Sequence, residues 1–287
     1  MAQVQLASGS AAPARPDRPG FGLAACTAQH KGDRREQQDR VALLTSPRAP
    51  HCALAVLADG VGGSSGGALA AETVVAVARR RFEAWSPDGE APAMLFASLV
   101  EELNTVLRLA GITAGVRPHS TLATLLVQPT RVDWCHVGDS RLYHVRDRQP
   151  RHCTRDHVLE RPIARPQAQD AAPAAAIGQA APSVRRFVRA LGEAQLPPVS
   201  MGSLADPRAG DTFLLCSDGL WNYFDADELA GTADSLAPRE AAAILIERAR
   251  ERALGQGDNC SLVLVRLIEA SRPAVPVPAK DRLAAVA

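Results

Sequence analysis

A short apolar run at residues 52–58 (CALAVLA) ends in an acid, Asp59, and then in a glycine-rich loop that reaches residue 67. Its brevity and the glycines that close it select a buried strand over a piece of buried helix. A carboxylate at the mouth of such a strand is costly unless something positive sits against it. The neighbouring glycines leave room for a metal ion, a phosphate, or a backbone carbonyl turned toward a ligand. Taken alone, Asp59 reads equally well as a cap of the helix that follows, so its meaning depends on the rest of the chain.

Other apolar runs are also short and β-prone: 21–27 (FGLAACT), 41–44 (VALL), 121–127 (TLATLLV), 132–137 (VDWCHV), 142–145 (LYHV), 212–216 (TFLLC) and 260–268 (CSLVLVRLI). The helical period enters after residue 66, with Leu69, Thr73, Val74, Val77 and Ala78 on one face, and again over 93–110, where Gly111 is a plausible cap. Residues 227–230 and 238–253 are read as helical too. Two helix pairs among antiparallel strands predict an α+β fold, a four-layer αββα sandwich of two antiparallel sheets flanked by helix pairs. One domain is expected over residues 21–269, between a disordered leader at 1–20 and a disordered tail at 270–287. Within it, 158–187 is rich in Ala, Pro, Gln and Arg and reads as a flap-like insertion.

Composition narrows the function. With 287 residues and 46% hydrophobic content the chain can bury a large core. Lysine and arginine number 32 against 31 acids, a net charge of +1 that makes no electrostatic case for nucleic acid or an anionic membrane. No apolar run approaches the roughly 18 residues a membrane helix needs, and the first residues lack a signal-peptide pattern. The six cysteines are scattered without C-x-x-C spacing and read as reduced core residues, so a cytoplasmic, monomeric protein is expected.

Four acids then occupy equivalent places: Asp39 before VALL, Asp59 after LAVLA, Asp218 after TFLLCS, and Asp258 before the last strand. Acids at strand ends can converge at one edge of a sandwich although far apart in sequence. Oxygen ligands without histidine or cysteine suit hard cations, Mg²⁺ or Mn²⁺. One such acid is usually a turn residue; four of them favour a shared metal site. The seven histidines form no ligand pair on a helix, and neither Ser64 nor Ser217 has a paired base in view, which argues against a serine nucleophile.

The segments RREQQD (34–39), ADGVGG (58–63), GDSRLY (138–143), TRDH (154–157), SDGL (217–220) and DNCS (258–261) follow one another in the order and rough spacing of the metal-dependent serine/threonine phosphatases of the PPM or PP2C type, which the chain resembles over nearly all of residues 21–268. The resemblance implies two cations, Mn²⁺ or Mg²⁺, bridged by Asp59 and a water that attacks phosphorus directly. It implies Asp218 and Asp258 as ligands of one ion, and the Gly60 carbonyl with Asp39, directly or through water, at the other. Arg34, with Arg35 as the alternative, matches the phosphate-gripping arginine. Asp156 matches the acid of a third, weaker metal site, with a turn acid as its alternative. Asp139 reads as a structural turn residue, and Asn259 as the orienter of Asp258 or of a metal-bound water, or as an Asx turn.

The partners implied are phosphorylated proteins, including Ser/Thr kinases and their substrates. From another class, a catalytically weak phosphoprotein-binding module on the same fold is the alternative. The chain departs from the family at Val61, where eukaryotic members often carry histidine, at Gln37, where Asn is usual, and at residues 119–121 (HST) in place of Gly-Thr-Thr.

Overall fold

A computed structural model describes residues 21–61, 66–162 and 184–269. The strands are β1 (Phe21–His30), β2 (Asp39–Ser46) and β3 (Ala49–Val61), followed by helices α1 (Gly67–Ala84) and α2 (Pro92–Ala114). Then come β4 (His119–Ser120), β5 (Leu122–Val127), β6 (Val132–Val137), β7 (Arg141–Arg146), β8 (Gln149–Cys153), β9 (Val158–Pro162), β10 (Val184–Val188), β11 (Ser200–Leu204) and β12 (Thr212–Cys216). The chain closes with α3 (Asp218–Trp221), α4 (Ala226–Ser235), α5 (Pro238–Ala253) and β13 (Cys260–Glu269).

Two antiparallel sheets stack face to face, one ordered β1-β13-β12-β7-β8 and the other β11-β6-β5-β3-β2. Strand parity explains why both faces of each are apolar. On β3, Ala55 and Leu57 point into the layer between the sheets, where they meet Phe213, Leu215, Val263 and Val265. Their neighbours Leu54, Val56 and Ala58 point outward against α1 and α2, onto Val74, Phe82, Leu95 and Leu99. On the opposite flank Leu214, Leu262 and Leu264 meet Leu229 and Leu245 of α4 and α5. The layers therefore run helices, sheet, sheet, helices, as the sequence predicts.

Two local readings change. Helix α2 runs past Gly111 and is capped by Gly115, whose φ of 66° is the left-handed conformation glycine adopts without strain. Gly111 is small for a different reason: a side chain there would meet Pro118 and the carbonyl of Val116 at under 3 Å. The insertion is not wholly irregular, because Val158–Pro162 and Val184–Val188 pair as an antiparallel ribbon. Residues 163–183, like the expected leader and tail, lie outside the described residues. Among the described residues no helix is long and apolar enough to cross a membrane. All six cysteines are free, four of them buried.

Leu57 sits at zero exposure in the layer between the sheets, two residues before Asp59. Leu57→Ala is expected to cost about 3 kcal/mol through lost burial and the cavity left behind, read as a lower urea midpoint at unchanged m-value. A loss under about 1 kcal/mol would mean that this layer is not the closely packed centre of the domain.

Candidate active site

The inward parity that places Leu57 between the sheets also places Asp59 there, at the end of β3. Asp39 opens β2 and is its register partner, directly opposite across the ladder. Like charges in that position repel unless a cation or a proton intervenes. From the facing sheet, β12 ends at Cys216 and, after Ser217, delivers Asp218 as the first residue of α3, while Asp258 stands two residues before β13. All four predicted acids therefore come to one edge of the sandwich. Asp39 is buried at 1% exposure, whereas Asp59, Asp218 and Asp258 keep part of their surface in solvent, so the cluster is an open rim.

The rim is tightly built. Gly60 passes so close to two neighbouring backbones that a Cβ there would lie 2.2 Å from the carbonyl oxygen of Gly67 and 2.8 Å from that of Gln38. Gly219 is bare for the same reason, since a Cβ would fall 2.0 Å from the Asn259 carbonyl oxygen. Ser217 donates its hydroxyl to Asp39 Oδ2 at 2.8 Å and accepts the Ser261 amide at 3.0 Å. Thr121 accepts the Asp59 amide at 3.0 Å and shares a hydrogen bond of 2.6 Å with Ser140.

The electrostatics follow from this crowding. Burial, opposed by hydrogen bonds from Ser261 and Ser217, pushes Asp39 up to about 6, with the charge of Asp258 adding to the rise. Asp218 is pushed up to about 7 by burial and then by Asp139, Asp258 and Asp39. Asp59 lies well above the usual carboxylate range, first through burial and then through Asp39, Asp218, Asp139 and Asp258. Each shift reflects a charged form that lacks compensation.

Whether these residues suit a metal can be judged from the polar groups themselves. Asp39 Oδ1 is buried without a hydrogen-bond partner among the described residues. Several carboxylates repel one another around it, and the donors are hard oxygens, so the set fits a hard divalent cation. Among the described residues no group of three or more His, Cys, Asp or Glu side chains is already drawn together closely enough to hold a metal ion.

Arg34 comes to the same rim, its Nη2 2.5 Å from Asp258 Oδ2, with 58% of its side chain in solvent. Asn259 turns out to secure the loop that carries Arg34. Its Oδ1 accepts the Gln38 amide at 2.6 Å, and its Nδ2 donates to the carbonyls of Lys31 and Glu36 at 2.8 and 2.9 Å. Its backbone amide donates to Asp258 Oδ1 at 2.7 Å, so Asn259 both orients Asp258 and clamps the β1–β2 loop.

Asp156 receives both Nε and Nη2 of Arg141, at 2.8 and 3.0 Å, and Arg141 lies flat on Trp221, its guanidinium carbon 3.5 Å from the ring centroid. The Asp156 charge is thereby engaged by Arg141. Asp139 adds its charge to both Asp59 and Asp218. The β6–β7 turn brings it there, held where Trp221 Nε1 donates to the Asp139 carbonyl at 2.9 Å.

Comparison with known proteins agrees with this geometry. The solved catalytic domain of the phosphatase PstP in complex with two manganese ions superposes with a TM-score of 0.66, at 25% identity over 87% of this chain and all of that one. PppA, described as a key regulatory component of T6SS in Pseudomonas aeruginosa, gives 0.65 at 26% identity over 88% of this chain and all of that one. These likenesses set the chain in the class of αββα phosphatases. The family model for protein phosphatase 2C matches residues 26–254, and the chain belongs to that metal-dependent family. Among curated relatives, serine/threonine protein phosphatase PstP of Mycobacterium tuberculosis H37Rv is 27% identical over 220 residues, 75% of this chain. The chain spans only 40% of that relative's length. Serine/threonine phosphatase stp of Listeria monocytogenes EGD-e is 29% identical over 230 residues, 74% of this chain and 83% of that protein.

The raised carboxyls set a direction for pH. An acid whose folded pKa exceeds its unfolded value of about 3.9 stabilises the fold while protonated, and that contribution fades as pH rises through the folded pKa. With Asp39 near 6 and Asp218 near 7, protein held in EDTA is expected to lose stability between about pH 4 and pH 7. Asp218→Asn is expected to flatten that slope and to raise Tm at neutral pH. Thermal melts of both proteins across the range check this, and a steeper slope in the variant would contradict it.

Proposed function

We propose that the protein hydrolyses phosphoserine and phosphothreonine in phosphorylated proteins, Ser/Thr kinases and their substrates among them, with a pair of divalent cations, Mn²⁺ or Mg²⁺, held at the acidic rim. The observation that carries this reading is the convergence of Asp39, Asp59, Asp218 and Asp258 on one rim beneath a half-exposed arginine, in a chain of the protein phosphatase 2C family.

In this reading Asp59 would serve both ions, Asp218 and Asp258 would hold one, and the Gly60 carbonyl with Asp39 would hold the other. Asp139 lies near enough to bias Asp59 and Asp218, so it joins the set, and Asp156 stays the candidate acid of a third, weaker site. When bound, the cations supply the charge that makes a bridging water nucleophilic near neutral pH and that offsets charge on the phosphoryl oxygens.

The chain's own groups do the rest. Ser217 keeps Asp39 oriented by its 2.8 Å hydrogen bond, and Thr121 holds the end of β3 by accepting the Asp59 amide. Arg34 releases Asp258 and presents a planar fork that matches two phosphate oxygens. The Asn259 clamp keeps that fork on the rim instead of in solvent. Val61 supplies no proton, so the leaving group is protonated by water and not by a side chain at that position.

Purified protein is expected to release phosphate from a phosphothreonine peptide with Mn²⁺ and to stop in EDTA. Asp218→Ala is expected to lower kcat by at least about a hundredfold, a size typical for losing transition-state charge stabilisation. Arg34→Ala is expected to act mainly on KM. Full turnover by Asp218→Ala, or activity undiminished by EDTA, would rule the reading out.

A further inference from the structure

Away from the acidic rim, a cavity of about 1210 Å³ opens where the free edges of the two sheets, β8 and β11, face each other. It is of the size that takes a small organic ligand with room to spare. Five arginines line it, Arg131, Arg146, Arg151, Arg155 and Arg208, against two acids, Asp133 and Asp147.

The five do not play one part. Arg131 forks onto Asp133, and Arg146 forks onto Asp211 at 2.5 and 2.7 Å, so these two build the walls. Arg208 reaches Asp206 at 3.2 Å. Arg151 is held only by a 3.5 Å contact to Asp147, itself 81% exposed, a pairing of little strength in water. Among the described residues no carboxylate pairs with the exposed Arg155. Arg151 and Arg155 thus both line the cavity with donors to spare.

Between them His152 leans on Trp134, ring centroids 5.1 Å apart. Gly202 of β11 leaves the space that this indole occupies, since a Cβ there would lie 2.4 Å from its ring. The wall also holds an unsatisfied group. His136 Nε2 lies 2.9 Å from the Arg155 carbonyl, an acceptor only, so that nitrogen carries the proton. In the neutral ring, which burial favours, Nδ1 is then an acceptor, and it is buried without a partner. The cavity therefore offers guanidinium donors and the exposed His152 ring, which is backed by the buried Trp134.

We propose that this cavity is a second binding site, separate from the acidic rim, for an organic phosphate of nucleotide size: its phosphate on Arg151 and Arg155, its planar ring against the exposed His152. A bare anion would leave the aromatic surface unused, and a neutral ring would leave the two cations unpaired. The strands that line the cavity run on into the rim: β6 leads to Asp139, and the stretch after β8 to Asp156. Across this junction the rings of His136 and His157 stack at 4.4 Å, and the His157 amide donates to the Gly138 carbonyl at 2.8 Å.

The test is calorimetric titration of the full chain in EDTA with adenosine 5′-monophosphate, inorganic phosphate and adenosine in turn. Saturable binding of the monophosphate is expected, tighter than either fragment by about tenfold or more. Arg151→Glu with Arg155→Glu, both exposed, is expected to weaken it at least about tenfold while Mn²⁺-dependent hydrolysis of a phosphothreonine peptide is unchanged. The milder pair Arg151→Gln with Arg155→Gln is expected to lie between. Arg34→Ala is expected to bind as the parent does, which separates this cavity from the rim and keeps its failure distinct from that of the phosphatase reading. No saturation at millimolar monophosphate, binding indifferent to both arginine pairs, or inorganic phosphate binding as tightly as the monophosphate would overturn the proposal.

Discussion

Repulsion among half-buried carboxylates at one edge of the sandwich is the interaction on which the rest of the site depends. Asp39 and Asp59 face each other across β2 and β3, and Asp218 and Asp258 arrive from the opposing sheet. A fold that gathers these charges gives up stability unless positive charge or protons intervene. The structure shows partial answers from the protein itself: the Ser217 and Ser261 hydroxyls toward Asp39, and the Arg34 guanidinium on Asp258. None reaches Asp39 Oδ1, which stays without a partner among the described residues. A proton or a cation meets the demand left there, and stability and chemistry meet at that point.

Much of the fold was legible because both sheets are apolar on both faces. Runs such as TFLLC and LATLLV are short, β-prone and bounded by turn residues, and β6, β12 and α5 fall on the residues the pattern marks. Strands β8 and β11 were not legible. Gln149–Cys153 and Ser200–Leu204 are edge strands with little apolar alternation, and tertiary pairing to β7 and β6 makes them strands. The α2 terminus misled for a comparable reason: Gly111 looks like a cap, yet close packing against Pro118 explains it.

At the site, the four acids could be found because each ends an apolar run, and their order matches a known set of motifs. What the sequence could not convey is which neighbour each remaining polar group meets. Asp156 and Asp139 are both acids after strands, but only coordinates show Arg141 forked onto the first and the second turned toward Asp59 and Asp218. Asn259 likewise looked local to Asp258, whereas its side chain reaches back across the chain to Lys31, Glu36 and Gln38. Long-range hydrogen bonds leave no periodic trace.

The most direct measurement is anomalous diffraction at the manganese edge from a crystal of the protein grown with Mn²⁺. The account predicts two strong peaks at the rim, with Asp59 between them, Asp218 and Asp258 on one and the Gly60 carbonyl on the side of the other. A rim without anomalous density, or manganese bound only at residues elsewhere on the molecule, would contradict it.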